Sequence, residues 1–416
     1  MRLATKLARA TAVLAAILST VGLITPALAV TDLAFELDGD LAANRGGVDW
    51  ASLFDSAGHE QSVLPPNFFG TSFVRDFVQN ASGPDRTTFT TGSKDTLNIS
   101  TGWQCSRANN VSSKVDLLNS YATFYVDPGT GDDIVYFGLE RSSNAGDGNV
   151  GIWFLQDPTV SCLAPATGPS TSNFTGNHFD GDLLVVAAFT AGGAVSTVNV
   201  YEWTGGNAAG YLNPTPIITG ADCARSMPGD PVCAIVNSAA VTPPWPTQDK
   251  DGDNILNTSE FFEGGLNLTR MGLAFGCFNK VIFDTRSSQS LTATLFDFTL
   301  GTFLTCNDGN ACTTDTCDPT RGCVFTPVAC DDGNVCTTDT CERRGWLCPH
   351  EQHGAMLRRQ CLYGGGRVQR RDVSARRAAK LQRRQLLHRR QLQPHHGVCP
   401  HEQHRLVRRR ERLHPQ

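Results

Sequence analysis

Between residues 30 and 303 the apolar positions come in short runs rich in β-branched and aromatic residues, separated by clusters of Gly, Asn, Asp and Pro. An amphipathic helix repeats its apolar positions every three or four residues over a longer window, whereas a short apolar run bounded by turn formers reads as a strand. The clearest strands are Ile134 to Leu139, Ile152 to Leu155, Leu183 to Phe189, Val198 to Trp203 and Leu291 to Phe298. The last alternates, with Leu291, Ala293, Leu295 and Asp297 on one face and Thr292, Thr294, Phe296 and Phe298 on the other. Two stretches predict helix instead: Val115 to Tyr125, and a single turn over Ser259 to Glu263. The expected fold is all-β, a β-sandwich or jelly roll over residues 30–305.

The chain opens differently. Arg2, Lys6 and Arg9 precede an apolar run from Ala10 to Ile24, and Ala27-Leu28-Ala29 supplies small residues at cleavage positions, which predicts a secretory signal peptide over 1–29. That run is too short for a comfortable membrane span and no other segment is comparably apolar, so no span is expected.

Charge is divided as unevenly as hydropathy. Residues 342–416 carry 19 Lys and Arg against 5 Asp and Glu, and 8 of the 10 histidines; residues 30–341 carry 13 basic against 35 acidic residues. An acidic body repels nucleic acid and anionic membranes and attracts divalent cations and basic partners.

Cysteines mark the third region. Cys306-Asn307-Asp308-Gly309-Asn310-Ala311-Cys312-Thr313-Thr314-Asp315-Thr316-Cys317 recurs, 24 residues on, as Cys330-Asp331-Asp332-Gly333-Asn334-Val335-Cys336-Thr337-Thr338-Asp339-Thr340-Cys341, and Cys323 closes the first copy. A segment this small and polar cannot bury a core, and its spacings are not those of zinc knuckles, so disulfides are expected to hold it. In the body, Cys223 with Cys233 and Cys105 with Cys162 are the expected pairs; Cys277 is left over, and a bridge from body to repeat stays open.

The repeated motif resembles the slime-mould (Dictyostelium) extracellular-matrix repeat family, which implies an extracellular, structural or adhesive module without catalytic residues. The body resembles uncharacterised secreted bacterial proteins through Thr91-Gly92-Ser93-Lys94-Asp95, Gly181-Asp182-Leu183-Leu184-Val185 and Glu260-Phe261-Phe262-Glu263-Gly264-Gly265, a resemblance that implies no activity.

The basic tail reads as a frame artefact. Read one base later from just after Cys341, codons for Lys380 to Cys399 can be chosen that encode a further repeat with all its cysteine spacings and its Asn-Asp-Gly-Asn turn. As written, 342–416 lacks sustained apolar periodicity and is expected to be disordered. A nucleic-acid role for its arginines and a metal role for its two Cys-Pro-His-Glu-Gln-His copies are the weaker readings.

Candidate chemistry in the body centres on a loop that resembles an EF-hand. Asp249, Asp251, Asp253, the Ile255 backbone carbonyl, Asn257 and Glu260 fall at positions 1, 3, 5, 7, 9 and 12 of such a loop, a set of oxygens suited to a structural calcium ion. Asn254 stands where glycine is usual, and Pro243-Pro244-Trp245-Pro246 forbids an ordinary entering helix. Gly146-Asp147-Gly148-Asn149-Val150-Gly151 matches a dinucleotide fingerprint but runs into β-rich Ile152 to Leu155, so a hairpin loop is expected there. Asn177 to Asp182 reads as a polar loop, and Trp103, Trp153, Trp203 and Trp245 offer either a sugar platform or core packing. No catalytic residue is assigned. The expected protein is a secreted, non-enzymatic cell-surface or matrix component that binds a surface polysaccharide or matrix protein; the alternative is a secreted carbohydrate-active hydrolase with unidentified carboxylates.

Overall fold

A computed structural model describes residues 30–328, apart from 33, 77–83, 109–110, 228, 274–276, 304, 307–311 and 319–321. The expected signal peptide over 1–29, the second repeat with Cys330, Cys336 and Cys341, and the basic tail lie outside the described residues, as does the side chain of Cys317.

In chain order the strands are β1 (Phe68–Arg75), β2 (Thr88–Phe89), β3 (Gln104–Ser106), β4 (Leu117–Val126), β5 (Asp133–Arg141) and β6 (Gly148–Leu155). They continue as β7 (Thr171–Asn173), β8 (Leu183–Phe189), β9 (Val195–Thr204), β10 (Tyr211–Leu212), β11 (Ile218–Asp222) and β12 (Val232–Val236). The last five are β13 (Phe261–Asn267), β14 (Lys280–Arg286), β15 (Leu295–Thr302), β16 (Thr313–Asp318) and β17 (Gly322–Pro327). One sheet runs β1-β4-β5-β13-β12 and the other β9-β8-β6-β14-β15, extended by the short β2, β3 and β7. Between them β11 pairs parallel with β12 and antiparallel with β9, joining the two at one edge.

Alternate residues of each central strand enter different apolar layers. Val135, Phe137 and Leu139 of β5 share a core with Val150, Ile152 and Phe154 of β6 and Leu183, Val185 and Ala187 of β8. This is the layer between the sheets of a sandwich. The outer face of the first sheet, with Tyr121, Ile134, Tyr136 and Phe261, is covered by Val30, Phe35, Trp50, Leu53 and Phe54 of the N-terminal segment and by Trp245. The outer face of the second, with Trp153, Leu184, Val186 and Ile282, is covered by Phe89, Ile99, Trp103, Val160 and Phe174.

Burial on both faces explains where the sequence pattern misleads. The helix expected over Val115 to Tyr125 is instead strand β4, nine of whose ten residues are buried. A strand covered on both sides has no reason to alternate, so its period is invisible. Its polar members are satisfied inside: Asn119 Nδ2 donates to Glu140 Oε2 at 2.6 Å, and the Ser120 and Thr299 hydroxyls share a bond at 2.5 Å. The helical turn expected at Ser259 to Glu263 is likewise overturned: Ser259 sits at φ 68° and β13 starts at Phe261. Strand β15 starts only at Leu295, because a turn closed by Ser287 N–H to Thr294 O at 2.9 Å takes up the residues before it. The Gly146 to Gly151 segment is no hairpin loop either; from Gly148 on it is strand β6, and the turn before it crosses from β5 in one sheet to β6 in the other. No helix follows it, so it cannot cradle a dinucleotide. The all-β expectation itself holds, and among the described residues no helix is long and apolar enough to cross a membrane.

Candidate metal centre

The N-terminal segment is wound around two carboxylates. Glu36 Oε2 accepts from the Asn44 N–H at 2.8 Å, while its Oε1 accepts from Arg45 and Gly47 N–H at 2.8 and 2.6 Å. Burial alone would raise the Glu36 pKa, but these three amides outweigh it and hold the group below the usual range. The second carboxylate, Glu263, reaches out from β13. Its Oε1 accepts from the Asp38 and Gly39 amides at 3.0 and 2.7 Å, and its Oε2 from the Trp50 indole at 2.8 Å. Gly39 adopts φ +83°, and the Val236 carbonyl lies 3.2 Å from where a Cβ would stand, so the loop takes its turn where a larger residue would be strained.

Three more carboxylates converge on this turn. Asp38, Asp40 and Asp49 each place an oxygen within 4.8 Å of the other two. Asp40 is held in place by the Ala42 N–H at 2.8 Å and the Asn44 Nδ2 at 2.7 Å. Asp49 caps the short helix α1 (Trp50–Leu53): its Oδ1 accepts from Trp50 N–H at 2.6 Å, and Asp49 N–H donates back to the Ser52 hydroxyl at 3.3 Å. Its Oδ2 has no hydrogen-bond partner, although Asp49 is fully buried. Burial, then the neighbouring Glu263, pushes Asp49 up to about 10; burial pushes Glu263 up to about 8. The Arg45 Nε lies 2.9 Å from Asp38 Oδ2, on a side chain that is 69% exposed. Asp38 and Arg45 also line a cavity of about 440 Å³ with Phe35, Leu37, Ala224 and Ile235, which adjoins the cluster on its Asp38 side.

A second trio, Asp76, Asp85 and Asp297, gathers near the start of β15, beside β4. Thr87 Oγ1 lies 2.7 Å from both Asp76 and Asp85, and Asp297 Oδ2 accepts the Leu117 N–H at 2.7 Å. Burial is the main cause that raises Asp76 to about 8 and Asp116, close by, to about 6.

The 249–260 loop is arranged differently. Asp249 Oδ1 accepts from the Asp251 and Asp253 amides at 2.9 Å each, and its Oδ2 accepts from Asn257 Nδ2 at 3.4 Å. Glu260 takes the Asn257 N–H at 2.6 Å on Oε2 and the Asn144 N–H at 2.9 Å on Oε1. Asp249, Asn257 and Glu260 are thereby drawn into one network. Asp251 and Asp253 stand exposed, Asp251 paired with Lys250, and the Ile255 side chain is 42% exposed. Gly252 takes the left-handed conformation, φ +88°, one position after Asp251.

On the opposite face the notable side chains are sealed. His178 is fully buried with Nδ1 3.1 Å from Asp182 Oδ2, its ring 4.0 Å from that of Trp203 and 4.6 Å from that of Trp153. Trp103, Trp153 and Trp203 here, and Trp245 over the first sheet, are each at most 1% exposed, which removes them as a sugar platform and makes them core. Arg286, also buried, pairs with Asp95 and lies 3.7 Å from Asp284 Oδ1.

Two signals for the N-terminal cluster were present in the sequence: the Asp38-Gly39-Asp40 turn, and Glu263 interrupting an apolar run. Neither has the spacing of a known metal loop, and only the packing of residues 36–50 against β13 brings them together.

Disulfides join Cys105 to Cys162, Cys223 to Cys233 and Cys306 to Cys323, so both body pairs form as expected. Cys277 and Cys312 are disulfide-bonded as well. The other four body cysteines are paired with one another, so the partner of Cys277 lies in the region that begins at Cys306 and the body is covalently tied to it. Strands β16 and β17 form an antiparallel hairpin in register from Thr313 opposite Pro327 to Asp318 opposite Gly322, with Cys317 opposite Cys323.

The family of the Dictyostelium (slime mold) repeat matches residues 305–328 and 329–351, so the hairpin is one copy of a tandem module. No curated protein matches the chain. No solved structure matches it. A cysteine-rich repeat of this family together with the disulfides accords with an extracellular or cell-surface protein.

Proposed function

We propose that the chain is a secreted, non-catalytic component of the cell surface or extracellular matrix: a β-sandwich head on a stalk of bridged hairpins, acting structurally or by adhesion to a surface polysaccharide or matrix protein. The observation that carries this reading is the Cys306–Cys323 bridge, which ties strand β17 of the hairpin to the chain ahead of β16, within a repeat that the family match places twice in succession. A hairpin this small has no core of its own, so the disulfide replaces the core and the module can be strung in series without folding partners. The bond from Cys277 into the same region fastens head to stalk, as a load between them requires. The strongly acidic body favours basic or cation-bridged partners over nucleic acid. Calcium at Asp249, Asp251, Asp253, Asn257 and Glu260, with the Ile255 carbonyl, belongs to this proposal, supported by the network that already joins Asp249, Asn257 and Glu260.

The test is an array of polysaccharides and matrix proteins probed with the full chain in calcium and in chelator, with soluble sugar assayed in the same wells. Retention without released sugar is the expected result. Release that disappears on substituting one carboxylate would replace adhesion by hydrolysis.

A further inference from the structure

We propose that Asp38, Asp40 and Asp49 form a binding site for a divalent cation of the calcium type, which locks the N-terminal loop onto the first sheet. This site is distinct from the 249–260 loop and stands whether or not that loop binds calcium. Its donors are three carboxylates whose oxygens lie within 4.8 Å of one another, a spacing that one ion at ordinary Ca–O distances of about 2.3–2.6 Å can bridge.

The second observation is the buried Asp49 Oδ2, to which no donor is directed. Its twin Oδ1 is already used by the helix cap, and the neighbouring Glu263 is saturated by two amides and an indole; of the two cluster oxygens without a hydrogen-bond donor, Asp38 Oδ2 faces the Arg45 guanidinium at 2.9 Å and Asp49 Oδ2 faces none. A buried carboxylate oxygen without a donor is costly, and a bound cation removes that cost. The Arg45 guanidinium pairs with Asp38 from the solvent side, leaving Asp40 and Asp49 without a cationic partner among the described residues. An all-oxygen, all-carboxylate set selects calcium or magnesium over zinc or copper, and a loop able to adjust its ligands favours calcium.

Occupancy would act on the fold through contacts already in place. Asp49 caps the helix that carries Trp50 and Leu53 into the outer core, and Asp38 and Gly39 hang from Glu263. A cation bridging Asp38, Asp40 and Asp49 therefore clamps both ends of the loop against β13.

The experiment uses the full chain stripped with chelator, then titrated with terbium under tryptophan excitation, since Trp50 adjoins Asp49, with calcium as competitor and melting followed in calcium and in chelator. Millimolar calcium is expected to raise Tm by about 3–6 °C. Asp40→Asn, on a partly exposed side chain, should fold normally, weaken the competed terbium signal roughly tenfold or more and shrink the Tm rise. Asp49→Asn is expected to melt in chelator at or above the parent and to lose the calcium response, whereas mere damage to the fold would lower the melt in both media. Asp251→Asn reports the other loop separately and should leave the Trp50-sensitised signal in place. The proposal is overturned if the parent melts identically in calcium and chelator. It is overturned equally if the response survives both Asp40→Asn and Asp49→Asn but vanishes with Asp251→Asn or Asp85→Asn.

Discussion

The two outer faces of the sandwich bury charge in opposite ways. Over the second sheet, Arg286 pairs with Asp95 and lies 3.7 Å from Asp284, and His178 Nδ1 lies 3.1 Å from Asp182 Oδ2, all five inside a layer of tryptophan and phenylalanine. Over the first sheet, Asp49 and Glu263 are buried side by side, Asp38 and Asp40 stand close, and Arg45 reaches the group from outside. A buried charge whose opposite is supplied by the same chain is a structural element; one whose opposite is missing asks for a proton or an ion. The contrast assigns the second face to architecture and the first to ligand-dependent stability.

The sharpest way to break the comparison is to remove each arginine. Arg286→Met should lower stability by about 3–5 kcal/mol in urea unfolding, because it strands Asp95 and Asp284 in an apolar layer. Arg45→Met should cost no more than about 1 kcal/mol, since its partner is met at the solvent edge. Equal losses would show that the two faces are compensated alike.

The disulfides sharpen it next. Cys105–Cys162 closes a separation of 57 residues and pins the covering layer of the second face; Cys223–Cys233 closes 10 residues beside the first. On a chain-entropy basis, replacing both cysteines by alanine should cost about 4 kcal/mol at the first bridge and roughly 3 at the second. Unfolding with matched reduced controls reads the difference. A larger loss at Cys223–Cys233 would mean that the first face depends on its covalent tie rather than on a cation.

How far the sequence revealed these features follows from the physics of each. Short β-rich runs and the cysteine spacing disclosed the all-β class and both body disulfides, because turn chemistry and loop closure are local. Strand β4 was hidden: Leu117 to Val126 is covered on both sides, and a pattern that reports one-sided burial is silent there. The 249–260 loop was legible as spacing, yet the three-carboxylate clusters lie elsewhere, assembled from residues 38 to 49 and from residues 76, 85 and 297. Such sites are made by topology. Nothing local to Asp49 announces that Glu263 will be buried next to it.

The smallest expected effect isolates the second face by pH. His178 is buried, and that burial, opposed by Asp182, lowers its pKa from the model-compound value of 6.5. Below about pH 6.5 the unfolded chain takes up a proton that the folded chain refuses, so stability contributed at this site is complete above that pH and falls as the pH drops, by at most about 1.4 kcal/mol per unit. The buried acids of the first face act in the reverse sense, gaining protons in the folded state, so the raw curve mixes both signs. Subtracting the curve of His178→Gln removes the shared background, and the difference should slope upward with pH between about 5 and 6.5 and be flat above 7. A flat difference throughout would mean that His178 carries its proton inside its indole cage, paired with Asp182.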